Sequence, residues 1–559
     1  MKAQKHDYST VPQITHPRNR FDLSHGVKTT MNVGTLYPID WQEILPGDTF
    51  PVKTYAVSRV SSSFLKPVMD NLFMDIYHFY VPYRLCYYNA EKVFGVAKPS
   101  AYIENELASF PSTHGNIASK SVADYLGLQP GVNLSNNEGS KVSLIPFRAF
   151  ALIYNQWFRN ENTVDEVYVQ TGERASTEII DNLAWSPSHY TGKLPKVKKY
   201  NDYFTSALPQ PQKGPPVVIG LSDFAPVHTA NVVSSSSLQT PLLWSQRNGN
   251  SLVTGSTVSN PLLTINDLDA EGATGLWNAN SSSGVGSIFT VYPRNLVADL
   301  SEATAININD LRLAFQAQKM LERDAFYGSR FNEYLLGHWG VYAPDQRIQF
   351  PEYLGGSRSP LNIVQTVQTS TSTEDSPLGN VAGYSWTNSR SRFTKGFCEP
   401  GIVMTVACIR YKHSYQQGIP LKWTRLMRND FYDPLYATIG QQPIYSSELY
   451  CPATVSTGIR NNVFGYKEAW AEYREIPNTV TGEMRTAAVN SQDIWHFADN
   501  YASAPLLSQA FTDEDPTFVD RALSVPSTSE DQFLVDFWFD IKAIRPLPLY
   551  SLPSLVDHH

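Results

Sequence analysis

The sequence has few cysteines and no long apolar run. Cys86, Cys398, Cys408 and Cys451 are widely spaced and form no Cys-x-x-Cys pair. This argues against a zinc site or a disulfide scaffold and favours a reducing compartment. The longest apolar stretches, such as 402–409, are far shorter than the roughly 20 residues that a membrane-spanning helix needs. No N-terminal apolar segment resembles a signal peptide. We therefore expect a soluble intracellular product.

Sequence motifs of catalysis are also missing. The chain has no phosphate-binding Gly-x-x-x-x-Gly-Lys, no His-Glu-x-x-His and no Gly-x-Ser-x-Gly elbow. The acidic triplet 513–515 has no flanking residues at ligand spacing, so we interpret it as a solvated loop. His413 and His496 lack a neighbouring cysteine or carboxylate pattern that would mark metal ligands. The sequence predicts no catalytic, cofactor-binding or metal residue, although a carboxylate pair assembled in space, as in glycosidases, stays open.

The chain is acidic overall, but its N-terminal segment is basic. A net charge of −8 excludes a chain that coats nucleic acid along its whole length, so any such contact requires a local basic segment. Residues 1–30 have only two acidic residues, Asp7 and Asp22, and no apolar period. We interpret this segment as an extended basic arm that contacts nucleic acid, with a solvated terminus as the alternative. The candidate contacts are Lys2, Lys5, Arg18, Arg20 and Lys28.

Aromatic residues, by contrast, are abundant at 12% of the chain. Tyr and Trp combine a large apolar area with a polar tip, so this composition suits extensive protein–protein contact. A β-rich protein would show the same enrichment, because aromatic residues favour strands. Both interpretations stay open at this point.

Alternation of apolar and polar residues predicts an all-β core. Residues 533–546, FLVDFWFDIKAIRP, have period two over a long stretch, which is typical of a strand with one buried face. Segments 72–81 and 52–60 are further predicted strands, and Gly401–Tyr411 is apolar on both faces, as in a fully buried strand. The strong strands near the two chain ends suggest one sheet that both ends help to close.

Two segments change to helical period. In 143–159 apolar residues recur at helical spacing, with Ser143 as the predicted N-cap and Pro146 early enough to be tolerated. Segment 309–326 predicts a helix with an apolar face that includes Phe315; Asn307 or Asn309 would cap it and Gly328 would end it. Beyond it, 337–340, 344–345 and 351–356 are interpreted as tight turns.

Residues 165–300 differ in character from the rest. Lysines and prolines come first, followed at 231–290 by a tract rich in Ser, Thr, Asn and Gly, in which Trp244 and Trp277 stand almost alone. Low complexity is compatible with disorder. Short apolar runs separated by turn residues instead favour a loop-rich β excursion with a variable tip.

Several of these segments together resemble one protein family. The block from 309 to Gly328, with Gly337-His338-Trp339-Gly340-Val341, Pro344-Asp345 and 351–356, is similar to the most recurrent block of microvirus major capsid proteins. The segments 154–160 (YNQWFRN), 16–22 and 466–473 (YKEAWAEY) resemble further motifs of that family in the same order. The chain thus resembles the gokushovirus type, from small single-stranded DNA bacteriophages. Phe326-Tyr327 and Gln156 depart from the usual pattern in detail.

The resemblance implies an eight-stranded jelly roll of the viral capsid type with large loop insertions and a few short helices. It implies a core of 31–164 and 301–559, and a surface protrusion of 165–300 with its tip at about 231–290. Trp244, Arg247 and Trp277 would be contacts at a threefold axis.

The resemblance also implies a function. About sixty copies would form a T=1 icosahedral shell in the virion, after assembly in the host bacterial cytoplasm. The implied partners are further copies of the chain, circular single-stranded DNA, an internal DNA-pilot protein, a small DNA-binding protein, a scaffolding protein and a bacterial surface receptor.

Two other classes of function share parts of this profile. A carbohydrate-binding or adhesin protein would also be β-rich and aromatic, but it would remain a small oligomer. A glycoside hydrolase with an insertion would need two carboxylates facing a cleft. Native mass separates them, because only a shell protein forms a megadalton particle.

Overall fold

A computed structural model describes residues 17–94, 109–137, 139–174, 178–215, 217, 349–362, 386–455, 458–460 and 462–550, with the helix Ile308–Tyr327 and short strands in 227–298, 365–367 and 381–384. Two compact units result. The first comprises Met1–Lys213 and Glu322–His559, and the second comprises Gly214–Leu321. Residues 337–345, predicted as turns, lie outside the described residues.

Nine strands form the two main sheets of the first unit. They are β1 (Asn19–Asp22), β2 (His25–Met31), β3 (Tyr37–Ile44), β4 (Thr49–Val60), β5 (Leu72–Pro82), β6 (Glu352–Leu361), β7 (Thr387–Gly396), β8 (Gly401–Tyr411) and β9 (Phe533–Arg545). In the first sheet β1 and β2 both pair with β9, which pairs with β4, which pairs with β7. The second sheet has the order β6-β5-β8-β3, and every pairing in both sheets is antiparallel.

The connections between these strands wind as in a jelly roll. The chain alternates between the sheets from β2 to β5 and from β6 to β8, and β9 then inserts between β2 and β4. The predicted all-β jelly-roll class is therefore confirmed. β1 and β2 follow one register on β9, from Asn19 opposite Arg545 to Met31 opposite Phe533. The strand number is eight only if these two segments are counted as one.

The core lies between the two sheets. Along β9 every second side chain is buried, and Phe533, Phe537 and Phe539 contact a cluster to which β4, β5 and β8 also contribute. The four predicted strands all form. The predicted common sheet is wrong, because β9 belongs to the first sheet and β5 to the second. Alternation specifies which face of a strand is buried but not which strand it pairs with.

The second sheet is covered on its other face as well. The helix Ile145–Ile153 packs Phe147 and Phe150 into a second cluster with Phe79 of β5 and Met404 of β8. This layer explains why all eleven residues of β8 are buried. The predicted Ser143 N-cap is wrong by one residue: Leu144 takes that position, and the Ser143 hydroxyl accepts a hydrogen bond from the Ile145 N–H at 3.3 Å. A π-helical turn, Tyr154–Phe158, continues the helix.

The long helix Ile308–Tyr327 also forms, within one or two residues of its predicted ends. Its predicted apolar face is wrong at Phe315, which is exposed.

The turn predicted at 351–356 is also wrong, because these residues form the beginning of strand β6. Gly356 permits this, since a Cβ there would lie 2.6 Å from the Ile76 carbonyl oxygen of β5. Glycines are typical of turns, but in this position they allow two strands to approach each other closely.

Two long connections carry most of the remaining elements. Residues 83–351 join β5 to β6, and 412–532 join β8 to β9. Short α-helices span Tyr83–Cys86, Ala90–Val93, Val122–Tyr125, Gln509–Thr512 and Thr517–Asp520. Single 3₁₀ turns span Leu421–Thr424, Arg428–Asp430, Pro434–Tyr436, Ser446–Glu448, Ala471–Tyr473, Gly482–Met484 and Asp493–Trp495.

Minor strands pair locally within these two connections and within the shorter one between β6 and β7. The antiparallel pairs are Ser112–Thr113 with Val142–Ser143, Gly115–Asn116 with Asn133–Leu134, Gln365–Val367 with Val381–Tyr384, and Gln441–Tyr445 with Val463–Glu468. Ser414–Tyr415 pairs in parallel with Asn478–Thr479. Among the described residues, no helix is long and apolar enough to cross a membrane.

The second unit contains short antiparallel strands, which agrees with the predicted β excursion. They are Val227–Thr229, Trp244–Asn248, Ser251–Leu252, Leu263–Ile265, Leu276–Asn278, Thr290–Pro293 and Leu296–Ala298. The predicted insertion began at 165, whereas residues 178–213 lie in the first unit. Tyr190 and Val197 belong there to the cluster over the second sheet.

Candidate functional site

Several strongly exposed apolar side chains in the described part of the chain lie close together in sequence, in the connection between β8 and β9. Leu426 and Leu435 are each 87% exposed, and Trp423 and Met427 are each 74% exposed. We call this the Trp423 surface, and its members are Trp423, Leu426, Met427, Phe431, Tyr432, Leu435, Tyr436 and Ile439. Soluble proteins rarely expose so many large apolar side chains within one short segment, so this segment is a candidate interaction site.

Polar contacts hold the backbone beneath these side chains. One carboxylate oxygen of Asp430 accepts hydrogen bonds from the N–H groups of Leu426 and Met427 at 2.8 and 2.9 Å. These contacts and that of the Arg460 guanidinium lower the pKa of Asp430. Arg460 also donates to the Thr424 carbonyl oxygen at 2.7 Å. The loop is thereby fixed while its apolar side chains point into solvent.

Aromatic packing supports the other end of the Trp423 surface. The indole N–H of Trp470 donates to the Tyr436 carbonyl oxygen at 2.9 Å, and the ring of Tyr432 lies edge-on to Trp470 with centroids 5.6 Å apart. Asp433 caps the turn by accepting from the Leu435 N–H. A surface ordered before binding loses little conformational entropy on association, which suits a stable protein–protein contact.

A cavity of about 300 Å³ opens beside this surface. Its walls include aromatic side chains and three glutamates: Tyr203, Phe204, Tyr415, Glu448, Glu472 and Glu475. Glu472 pairs with Arg425 and Glu475 with Lys467, whereas burial raises the pKa of Glu448 to about 7. The ion pairs neutralise two of the three carboxylates, which does not favour the acid–base pair of a hydrolase.

A buried ionic cluster lies elsewhere in the first unit. His413 contacts Asp499 through Nδ1 at 2.6 Å and Glu514 through Nε2 at 2.9 Å, and Lys199 contacts Asp499 at 3.1 Å. We call these four residues the His413 cluster; two cations balance two carboxylates, and all four are buried. The cluster joins segments that are far apart in sequence, so it stabilises the fold rather than forming an open site.

This cluster corrects two interpretations of the sequence. His413 is not isolated, and the triplet 513–515 is not a solvated loop, since Glu514 is fully buried and Asp513 nearly so. Burial raises the pKa of Asp513 to about 6. Sequence spacing contains no signal of the cluster, because its members meet only through tertiary folding.

The candidate nucleic-acid residues fall into three groups. Lys2 and Lys5 lie outside the described residues. Arg18 donates to the Gly47 carbonyl oxygen and to the Thr49 hydroxyl. Arg20 and Lys28 belong to β1 and β2 rather than to an arm, and both are exposed on the first sheet.

The candidate protrusion residues lie in strands of the second unit. Trp244 and Arg247 belong to the strand Trp244–Asn248, where Trp244 pairs with Pro293 and Arg247 with Thr290. Trp277 pairs with Thr264 in a different two-stranded sheet. Their proposed threefold contact stays a prediction.

Metal-binding chemistry has little support in the described residues. No group of three or more His, Cys, Asp or Glu side chains there has a geometry that would hold a metal ion. The four cysteines are free thiols, and burial raises the pKa of Cys86 and Cys408 to about 12. Both thiols are therefore protonated and unreactive at neutral pH.

Comparison with known proteins identifies relatives along the whole chain. The model of the phage capsid protein (F protein) family matches residues 9–555. Capsid protein VP1 of Spiroplasma virus 4 is 36% identical, with 99% of this chain and 98% of the relative covered. Capsid proteins VP1 of Chlamydia phage 1 and of Bdellovibrio phage phiMH2K are each 34% identical, with the same coverage.

Proposed function

Because the chain belongs to the phage F-type capsid protein family, we propose that about sixty copies assemble into a T=1 icosahedral shell around a circular single-stranded DNA genome. The chain is a microvirus-type major capsid protein with a structural, non-enzymatic role in the virion. The resemblance to gokushovirus capsid proteins drawn from the sequence is confirmed. The number of copies and the enclosed genome are the proposal.

The Trp423 surface is the observation within the structure that supports assembly. It lies in the connection between β8 and β9, and its backbone is held by hydrogen bonds to Asp430 and Arg460. A closed shell needs each subunit to meet several different neighbours through surfaces of this kind. An adhesin that remained a small oligomer would have no comparable use for it.

Native mass of purified particles tests the proposal. Light scattering should give one narrow megadalton peak, and electron microscopy should show particles with icosahedral symmetry. Nuclease treatment of intact particles should leave single-stranded DNA protected. A monomer or small oligomer as the end product would exclude the shell and favour the adhesin alternative.

The N-terminal basic residues are proposed to contact the genome. Lys2, Lys5, Arg18, Arg20 and Lys28 would neutralise phosphates on the inner side of the shell, and such contacts weaken with salt. Replacing all five by Gln should reduce packaged DNA or particle stability in low salt. Unchanged packaging and unchanged salt dependence would support a solvated terminus instead.

The insertion 165–300 is proposed to form a surface protrusion, with its tip at about 231–290. Trp244, Arg247 and Trp277 would anchor contacts between three copies, and the tip would attach the particle to its host. Replacement of residues 234–287 by a short Gly/Ser linker should leave shells intact while adsorption to host cells falls sharply. Loss of assembly would contradict the surface placement, and unchanged adsorption would contradict the attachment role.

Other proposed partners follow from the family. They are a DNA-pilot protein, a small DNA-binding protein, a scaffolding protein during assembly in the host cytoplasm, and a bacterial surface receptor. Co-purification of each with intact particles or assembly intermediates provides the test.

A further inference from the structure

The outer face of the first sheet differs from that of the second. The connection 83–351 covers the second sheet with apolar side chains. On the first sheet, the outward side chains of β4, β7 and β9 alternate with the buried ones and are solvent-exposed. Trp538 in the middle of this face is 51% exposed, and its neighbour Tyr55 is 36% exposed. Large aromatic side chains that are solvent-exposed at the centre of a sheet face indicate a ligand.

Strand register places these side chains in one row. Trp538 of β9 lies between Gly26 of β2 and Tyr55 of β4, and Tyr55 lies opposite Arg390 of β7. The indole lies over Gly26, where an added Cβ would be 3.4 Å from the ring. The Arg390 guanidinium is 5.7 Å from the centre of the Tyr55 ring. We call this row and its charged neighbours the Trp538 face.

The charge of the Trp538 face is opposite to that of the chain. It has seven cationic side chains and three carboxylates, a net charge of +4, whereas the whole chain has a net charge of −8. Lys28 lies 3.8 Å from Asp536, and Lys542 pairs with Asp22 and Asp540. Among the described residues, the other five cations of this face form no ion pair: Arg20, Lys53, Arg59, Arg390 and Arg392.

We propose that the Trp538 face binds single-stranded DNA, with Trp538 and Tyr55 stacking on bases and the unpaired cations neutralising phosphates. This inference rests on the proposed enclosure of a single-stranded genome and names the surface that receives it. Exposed aromatics on a basic sheet are the arrangement with which proteins bind unpaired strands, because every base offers a stacking face. Arg20 and Lys28 belong to this face, whereas most of its other members come from β4, β7 and β9.

The contribution of the cationic side chains to DNA binding is tested with the full-length protein before assembly. Fluorescence anisotropy measures binding of a labelled oligo-dT of about 20 nucleotides over a range of salt concentrations. Replacing Lys53, Arg59, Arg390 and Arg392 by Gln should lower the slope of log K against log salt by roughly 3, since each phosphate contact on a single strand contributes about 0.7. The control replaces four exposed cations elsewhere by Gln: Lys66, Lys92, Lys412 and Arg485. Equal losses in both variants would overturn the proposal.

Stacking is tested separately at Trp538. Trp538→Leu should weaken binding between about 5-fold and about 150-fold, while Trp538→Phe should retain most of the affinity. Duplex DNA should compete poorly, because its bases are not free to stack on the protein. Equal affinities of the Leu and Phe variants, or equal competition by duplex DNA, would overturn the stacking role. Circular dichroism and melting temperature establish that each variant is folded. If the fourfold variant does not fold, the single substitutions Arg390→Gln and Arg392→Gln replace it in the salt-dependence experiment.

The DNA content of assembled particles distinguishes a failure of this inference from a failure of the proposed function. If wild-type particles protect single-stranded DNA and the fourfold variant forms shells with less DNA, both are supported. If the variant packages normally, only the Trp538 face is excluded. If wild-type particles contain no DNA, the proposed genome enclosure fails first. Unchanged oligonucleotide binding with loss of a co-purifying acidic protein would make the face a protein-docking surface and overturn the proposal.

Discussion

At the scale of single residues, buried charges join distant parts of the chain. In the His413 cluster, burial disfavours the imidazolium, but the carboxylates of Asp499 and Glu514 outweigh it and raise the pKa of His413 to about 9. Burial likewise disfavours the Asp499 carboxylate, yet His413 and Lys199 lower its pKa. The cluster is therefore charged on both sides at neutral pH.

This arrangement predicts a loss of stability in alkali. His413 has a pKa near 6.5 when unfolded and about 9 when folded, so its contribution is complete below pH 6.5 and is lost as the pH rises through 9. The loss amounts to roughly 3 kcal/mol in the free energy of unfolding. Urea denaturation of the unassembled protein between about pH 6 and about pH 10 should show this decline. In His413→Gln the decline should be smaller, and an identical pH profile would contradict the assignment.

A second buried pair predicts a large mutational cost. Arg148 is fully buried and donates two hydrogen bonds of 2.9 Å to the Glu178 carboxylate. Glu178→Ala should destabilise the protein by about 3–5 kcal/mol, because it leaves a buried cation without its counter-ion. In contrast, Glu468→Ala, which breaks the exposed pair with Arg474, should cost at most about 1 kcal/mol. Similar costs for the two variants in urea denaturation would contradict this difference.

At the scale of elements, alternation of apolar and polar residues predicts well those strands that bury only one face. β9 was recognisable because every second side chain from Phe533 to Ala543 is apolar and buried in the core. β6 was not, because Gly355 and Gly356 interrupt any alternation and read as a turn. The reason for glycine at position 356 lies in the neighbouring strand β5, because the Ile76 carbonyl oxygen approaches Gly356 too closely for a side chain to fit. Information of that kind exists only once the two strands are paired.

The close approach at Gly356 gives a prediction for this element. Gly356→Ala should destabilise the protein by about 1–3 kcal/mol, since the added Cβ meets backbone that cannot move aside independently. Gly396→Ala in β7 is the matched control, because its Cβ would meet nothing nearer than 3.7 Å. Thermal denaturation should show a lower melting temperature for the first variant only. Equal melting temperatures would mean that β5 and β6 can separate without cost.

At the scale of the whole molecule, the family and fold class were accessible from sequence, but the surfaces were not. The Trp423 surface reads in sequence as another loop, because its apolar residues follow no period. The Trp538 face is assembled from five strands that lie up to about 500 residues apart in sequence, so no local segment shows its charge. Surfaces of this type depend on strand pairing, and pairing is the property that alternation leaves open.

The Trp423 surface gives the prediction that bears on assembly. Leu426 and Leu435 are largely exposed, so replacing both by Asp should change the stability of the unassembled chain by little. At an interface, each buried carboxylate should weaken the contact by at least about 2 kcal/mol, or roughly 30-fold. Replacing Val489 and Leu506, also exposed, by Asp adds the same charge elsewhere. Sedimentation should then show unassembled protein for the first double variant and particles for the second. Particles from both would show that subunits do not meet through the Trp423 surface, and the apolar side chains there would require another partner.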